Sequence, residues 1–160
     1  MKIVSGGQTG VDRAALDFAI EQGMEHGGWC PHGRLAEDGP IPLRYHLRET
    51  DTSEYAERTD KNVVDSDATL IVSRNAELAG GTAFTHQKAM EHRRPVLVVC
   101  ECDDPKMRSS AVAAFVKDNG VKTLNVAGPR ESEAPGIGEF VRGLLQSALS
   151  LRDAMNFEEQ

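Results

Sequence analysis

Short apolar runs alternate with helix-period segments along nearly the whole chain, and that rhythm admits few folds. Lys2–Val4, Ala68–Ser73, Pro95–Cys100 and Lys122–Val126 read as strands. Val11 to about Gln22 places apolar residues at 11, 14, 15, 18 and 19, the spacing of one helix face. Further helices are expected from Asp51 or Thr52 to about Asp65, from Ala79 to about Arg93, and from Asp104-Pro105 to Asn119-Gly120. A last one follows Pro135-Gly136, with Ile137, Phe140, Val141, Leu144, Leu145 and Leu149 on one side. Strands separated by helices pair mostly in parallel through crossovers, so the expected fold class is α/β, a mostly parallel sheet flanked by helices. Parallel pairing lays the strand C-termini along one edge, where ligands bind in open α/β sheets. Three glycine-bearing loops fall on that edge: 5–10, 79–82 and 127–136.

The length of 160 residues suits one domain, expected over 1–151 with a polar tail at 152–160. Lys and Arg number 18 against 25 Asp and Glu, a net charge of −7. That balance argues against nucleic acid or a membrane surface as partner. No apolar run approaches the ~18 residues of a membrane span, and the chain starts in a strand without a signal segment. A cytoplasmic protein is expected. Three Cys do not make a disulfide framework. His26, His32, His46, His86 and His92 lack metal-ligand spacing, so no residue is assigned to a metal. Strand alternation puts the sulfurs of Cys100 and Cys102 on one side, which suits a thiophilic metal. A buried, inert cysteine is the commoner outcome and is the expectation here.

Ser5-Gly6-Gly7-Gln8-Thr9-Gly10, between a strand and a helix, suits an anion, because glycines permit close backbone approach and the helix start offers unpaired N–H groups. The same loop equally suits a tight turn packing helix on sheet. It has neither the Gly-Lys-Ser/Thr of a Walker A loop nor the dinucleotide Gly-x-Gly-x-x-Gly pattern. Arg13, a cation the helix dipole does not favour at that position, points towards an anion site. Gly128-Pro129-Arg130-Glu131-Ser132 offers an arginine and a hydroxyl before a helix, and Gly80-Gly81-Thr82 repeats the logic with a hydroxyl at the helix start. Arg34, Arg58 and Arg74 are the remaining basic candidates, and Arg58 shares a helix face with Asn62. The stretch 27–47 is rich in Gly and Pro with little periodicity beyond a short strand at Trp29-Cys30, and a loop this long is functional or mobile. Trp29 is expected to anchor it. Glu37 and Asp38 could serve as an acid/base pair, but adjacent acids in a loop are expected to be solvated. No Ser/His/Asp arrangement is visible, so binding stands level with catalysis.

These residues together carry a resemblance. Ser5-Gly6-Gly7-Gln8-Thr9-Gly10-Val11-Asp12-Arg13-Ala14-Ala15-Leu16-Asp17 resembles the opening of the molybdenum cofactor carrier family. So do Gly28-Trp29-Cys30-Pro31, Gly33-Arg34, Glu37-Asp38-Gly39, Arg58-Thr59 with Asn62-Val63, Gly80-Gly81-Thr82 with Thr85, and Leu124–Arg130 with Ser132. The resemblance spans about residues 1–150. It implies a Rossmann-like three-layer fold, a homo-oligomer (dimer or tetramer), and binding of the molybdenum cofactor, a phosphorylated pterin. The implied ligand-binding set is Gly6, Gly7, Gln8, Thr9, Gly10, Arg13, Arg34, Arg58, Gly80, Gly81, Thr82, Gly128, Pro129, Arg130 and Ser132. The wider lysine-decarboxylase-like superfamily includes nucleotide phosphoribohydrolases with a Gly-Gly-x-Gly-Thr-x-x-Glu loop. Here one Gly is missing and Thr85 stands where the Glu would, which counts against nucleotide hydrolysis because a hydroxyl cannot replace a carboxylate base. A nucleotide- or nucleotide-sugar-processing enzyme acting on a nucleoside monophosphate, or a sensor of a nucleotide-derived ligand, is the alternative.

Overall fold

A computed structural model describes residues 1–150, so the expected tail and the domain boundary at 151 lie outside the described residues. In chain order the elements are β1 (Lys2–Val4), α1 (Val11–Glu21), β2 (Glu25–Gly27), β3 (Trp29–Cys30), β4 (Leu35–Ala36), β5 (Gly39–Pro40), β6 (Arg48–Glu49), α2 (Tyr55–Val64), β7 (Ala68–Ser73), α3 (Gly80–Glu91), β8 (Val96–Cys100), α4 (Pro105–Asp118), β9 (Thr123–Ala127) and α5 (Ile137–Leu149). Five strands form one all-parallel sheet in the order β2-β1-β9-β7-β8. All six residues of β7 are buried, as a strand covered on both faces requires.

The two faces differ in chemistry. Ile3, Ala68, Leu70, Val72, Leu124 and Val126 point into the main core with α1, α5 and Val112 of α4. The alternate positions face the other way, where α2 packs on α3. There Asn125 Nδ2 donates to Thr69 Oγ1 at 3.3 Å, so part of that face is polar although buried. β9 and β7 lie side by side, yet α5 and α3, which follow them, go to opposite faces. A crevice opens between such strands at their C-terminal ends.

Two regions depart from the sequence reading. β2 has no apolar alternation; it is a sheet-edge strand, held in register along β1 with Lys2 opposite Glu25. The stretch 27–47 carries structure of its own: β3 pairs with β6, and β4 with β5 in a hairpin. Cys30, Ile41 and Tyr45 bury against Leu16 of α1 as a second small core. Arg34 holds this segment together by donating to the carbonyls of Ile41, Pro42 and Tyr45 at 3.0, 2.8 and 2.9 Å. Trp29 anchors it to α2, with Asn62 accepting from the Trp29 N–H at 2.8 Å and donating to its carbonyl at 3.0 Å. α2 begins at Tyr55 because Asp51 and Thr52 are used earlier, their N–H groups donating to Glu57 in the first helical turn.

Cys100 and Cys102 also differ from expectation, since they are joined in a disulfide and Cys102 is exposed. Cys30 is the buried free cysteine. Among the described residues no helix is long and apolar enough to cross a membrane.

Candidate ligand-binding cleft

The crevice is a cleft of about 320 Å³, within the ~300–1,000 Å³ of small-molecule sites. Gly6, Gln8 and Asp12 form one wall, Tyr55 and Arg58 of α2 and the first turns of α3 another, and Asn125–Gly128 with Arg130 the floor and rim. α3 starts with no side-chain cap and no acid in its first turn. The N–H groups of Gly80, Gly81 and Thr82 have no preceding helical carbonyl to receive them, and all three residues line the cleft. A Cβ at Gly80 or Gly81 would meet nothing within 4 Å, so this helix end is open to a ligand.

Two cations approach the Tyr55 ring. The guanidinium carbons of Arg58 and Arg130 lie 5.2 and 5.7 Å from its ring centroid, within cation–π range. Arg58 Nη1 donates to the Gly6 carbonyl at 3.2 Å and sits 3.7 Å from the Asp12 carboxylate. Arg130 pairs with Glu133 at 3.1 Å on the exposed rim, an interaction weak enough to exchange for a ligand anion.

The first glycine loop is occupied from within. Asp12, 7% exposed, accepts the Gln8 N–H at 3.2 Å. Burial raises its carboxyl pKa above the ordinary 3.8, opposed by the charge of Arg58 and by hydrogen bonds from Gln8, Ser5 and Gly6. Gly10 serves chain packing: at φ +78, its Cβ would lie 2.6 Å from the Pro129 carbonyl oxygen and 2.7 Å from the Glu131 nitrogen. Loops 5–10 and 127–136 therefore touch backbone to backbone.

The tip of the β4–β5 hairpin clasps both loops. Glu37 accepts the Thr9 hydroxyl, the Ser132 hydroxyl and the Ser132 N–H, the last at 3.2 Å. Asp38 takes a bidentate pair from Arg13, with Arg13 Nη2 at 2.7 Å, while Arg13 Nε donates to the Gly7 carbonyl at 3.1 Å. Glu37 and Asp38 are thus bound rather than merely solvated. Gln8 Oε1 accepts the N–H groups of Thr9 and Glu37 at 3.0 and 2.9 Å, which fixes the amide orientation and leaves its buried Nε2 without a protein acceptor.

Of the residues expected at a ligand, Gly6, Gln8, Arg58, Gly80, Gly81, Thr82, Gly128 and Arg130 come together in the cleft. Gly7, Thr9, Gly10, Arg13, Arg34, Pro129 and Ser132 do not line it. Four side chains of that second group already have partners: Arg13, Thr9 and Ser132 at the hairpin carboxylates, and Arg34 at loop carbonyls. Thr85 Oγ1 donates to the Gly81 carbonyl at 2.9 Å, so the position of the hydrolase Glu holds a hydroxyl bonded back to its own helix. Tyr55, Phe84, Asp12 and Asn125 line the cleft without having been singled out for a ligand. Tyr55 lies three residues before Arg58, a same-face spacing the sequence does offer. Asn125, one polar residue within Leu-Asn-Val of a buried strand, is a similar signal. Asp12 gives none, since a first-turn acid reads as a dipole partner.

The clasp depends on pH. Hydrogen bonds from Ser132 and then Thr9 hold the Glu37 carboxyl below its ordinary 4.5, and Arg13 holds Asp38 below 3.8. A depressed carboxyl stabilises the fold above its unfolded-state value, and that contribution is lost as pH falls through the folded value. The amide NMR shifts of Ser132 and Thr9 are expected to titrate together as pH falls below the ordinary carboxyl range, and Glu37→Gln should abolish that transition.

Comparison with known proteins agrees with this architecture. The profile of the family described as "Circularly permutated YpsA SLOG family" matches residues 3–149. A crystal structure of a protein named "Putative molybdenum carrier protein", from Syntrophus aciditrophicus SB, is 44% identical over 92% of this chain and 94% of that one, with a TM-score of 0.90. None of the curated proteins matches. Counted as though β9 came first, the sheet order β2-β1-β9-β7-β8 becomes 3-2-1-4-5, the doubly wound order begun one strand late. Matched by the family profile over nearly its whole described length, the chain belongs to the circularly permutated YpsA SLOG family.

Proposed function

We propose that this protein binds and carries a phosphorylated heterocycle, with the molybdenum cofactor as its cargo. The observation that supports this most is the uncapped start of α3, opening with Gly80-Gly81 onto a cleft that also holds Arg58 and Arg130. Free N–H groups at a helix N-terminus and a flanking guanidinium are what a phosphate requires. Tyr55 and Phe84 offer aromatic faces for a flat ring system, and the buried Gln8 amide nitrogen beside the cleft lacks an acceptor that a heterocycle or its phosphate could supply. The name of the crystallised relative points the same way. A homo-oligomer belongs to this reading as well.

In this reading the α3 N-terminus anchors the phosphate and Arg130 exchanges Glu133 for the ligand. Arg58, fixed by Gly6 and Asp12, keeps its charge turned towards the Tyr55 wall. The test is a titration of the protein with molybdenum cofactor, with AMP as competitor. Saturable binding that AMP barely displaces is expected, and Arg130→Ala should weaken it by about tenfold or more, the worth of one charge-assisted contact. An unchanged affinity would remove Arg130 from the site.

One observation favours a second reading, an enzyme that processes a nucleoside monophosphate. Asp12 is a buried carboxylate on the cleft wall whose pKa is pushed upward, as in a general acid or base. Release of base or ribose phosphate from AMP, lost in Asp12→Asn, would replace the carrier reading.

A further inference from the structure

On the same edge of the sheet, one strand beyond the cleft, β8 runs into Cys100-Glu101-Cys102-Asp103. The two Sγ atoms and a carboxylate oxygen of Asp103 all lie within 4.8 Å of one another. Cys100 is 5% exposed against the sheet, whereas Cys102 and Asp103 face solvent. The disulfide spans a single intervening residue, and closing so small a loop removes little freedom from an unfolded chain. Nor is the bond needed to shape the turn. Asp103 accepts the Cys100 N–H at 2.8 Å, its own N–H donates to the Cys100 carbonyl at 3.0 Å, and Arg108 donates to the carbonyls of Glu101 and Asp103 at 3.1 and 2.9 Å. The Cys102 N–H donates to Cys100 Sγ at 3.1 Å, and the N-terminus of α4 begins just beyond. The N–H bond favours thiolate sulfur at Cys100.

We propose that the reduced Cys100–Cys102 pair, with Asp103, is a site for a thiophilic divalent cation, closed when the disulfide forms. A dithiol reductant delivers two electrons and two protons to the S–S bond, giving two thiols and leaving as its own disulfide. The incoming cation displaces both thiol protons to solvent. Two thiolates and one carboxylate then fill three tetrahedral positions, with the fourth open to water or a further ligand. Sulfur donors select a soft ion over magnesium or calcium. The Cys102 N–H bond to Cys100 Sγ orients a ligand atom in advance.

The full chain is titrated with Cd²⁺, once after dithiol reduction and desalting and once oxidised, following thiolate-to-cadmium absorption in the ultraviolet. One Cd²⁺ per reduced chain is expected, with affinity at least ~100-fold weaker when oxidised, since both sulfur ligands are then consumed. Cys102→Ser should weaken binding by about 30-fold or more, and Asp103→Asn by roughly tenfold with the absorption retained, as expected for loss of a carboxylate ligand. Equal affinity in the oxidised and reduced protein, or undiminished affinity in Cys102→Ser, would overturn the proposal. Neither result bears on the cleft, because none of these residues lines it.

Discussion

Ala79→Asp is expected to make the protein more stable and to abolish binding in the cleft. Ala79 is the N-cap of α3, in the extended conformation a capping residue adopts, at φ −140 and ψ 163, and it is exposed. An aspartate there accepts the N–H of Gly81 or Thr82 and adds about 1 kcal/mol of stability. It also sets a negative charge at the positive end of the helix. Those N–H groups are the ones the proposed phosphate would use, so affinity should fall about 100-fold or more through lost charge-assisted bonds and like-charge repulsion. Urea unfolding and a ligand titration on the same preparation check both halves. Ala79→Ser, a cap without charge, should fall between the two proteins. An affinity that survives Ala79→Asp would move the anion elsewhere. A more stable protein that has lost its affinity would explain the absent cap as stability forgone for binding, a common trade at functional sites.

The second large effect concerns the floor. Gly128→Ala should lower stability by roughly 3 kcal/mol, at the upper end for adding one methyl to a packed interior. The new Cβ would press into the Val72 carbonyl oxygen, which belongs to the backbone of β7, and would lie 2.7 Å from Val11 Cγ2 of α1. A side chain could swing aside, but a carbonyl within a paired strand moves only with its strand. Urea unfolding measures the loss. Gly143→Ala, inside α5 with nothing within 4 Å, is the control and should gain about 0.5–1 kcal/mol from helix propensity.

The fold was legible wherever burial imposes a period. β1 and β7 were read with their observed limits, because Lys-Ile-Val and Ala-Thr-Leu-Ile-Val-Ser are apolar runs bounded by polar or glycine-rich segments. β2 was not, since Glu25-His26-Gly27 is held by backbone pairing to one neighbour and carries no apolar signal. The small core of Leu16, Cys30, Ile41 and Tyr45 was invisible because its members are scattered over a glycine-rich stretch with no repeat. At the site, Gly80–Thr82, Arg58 and Arg130 could be picked out by residue type. What residue type does not show is who answers a charge. Arg13 looks like a phosphate ligand until Asp38, 25 residues away, is found against it. The Gly6–Gln8 turn looks like an open cradle until Asp12 is seen to reach back to the Gln8 N–H.

The position of β9 bears on how the chain comes to be folded at all. The strand at the middle of the sheet is the last strand among the described residues, and it bridges β1 and β7, which pair with each other only through it. A nascent chain that has reached α4 holds two separate strand pairs, β2–β1 and β7–β8. Each presents an unpaired inner edge of the kind that invites wrong partners. Joining Val4 to Asn125 brings together residues far apart in the chain, the sort of long-range closure that slows folding. The five-stranded sheet therefore cannot close until β9 is made, and β9 then closes both edges in one insertion.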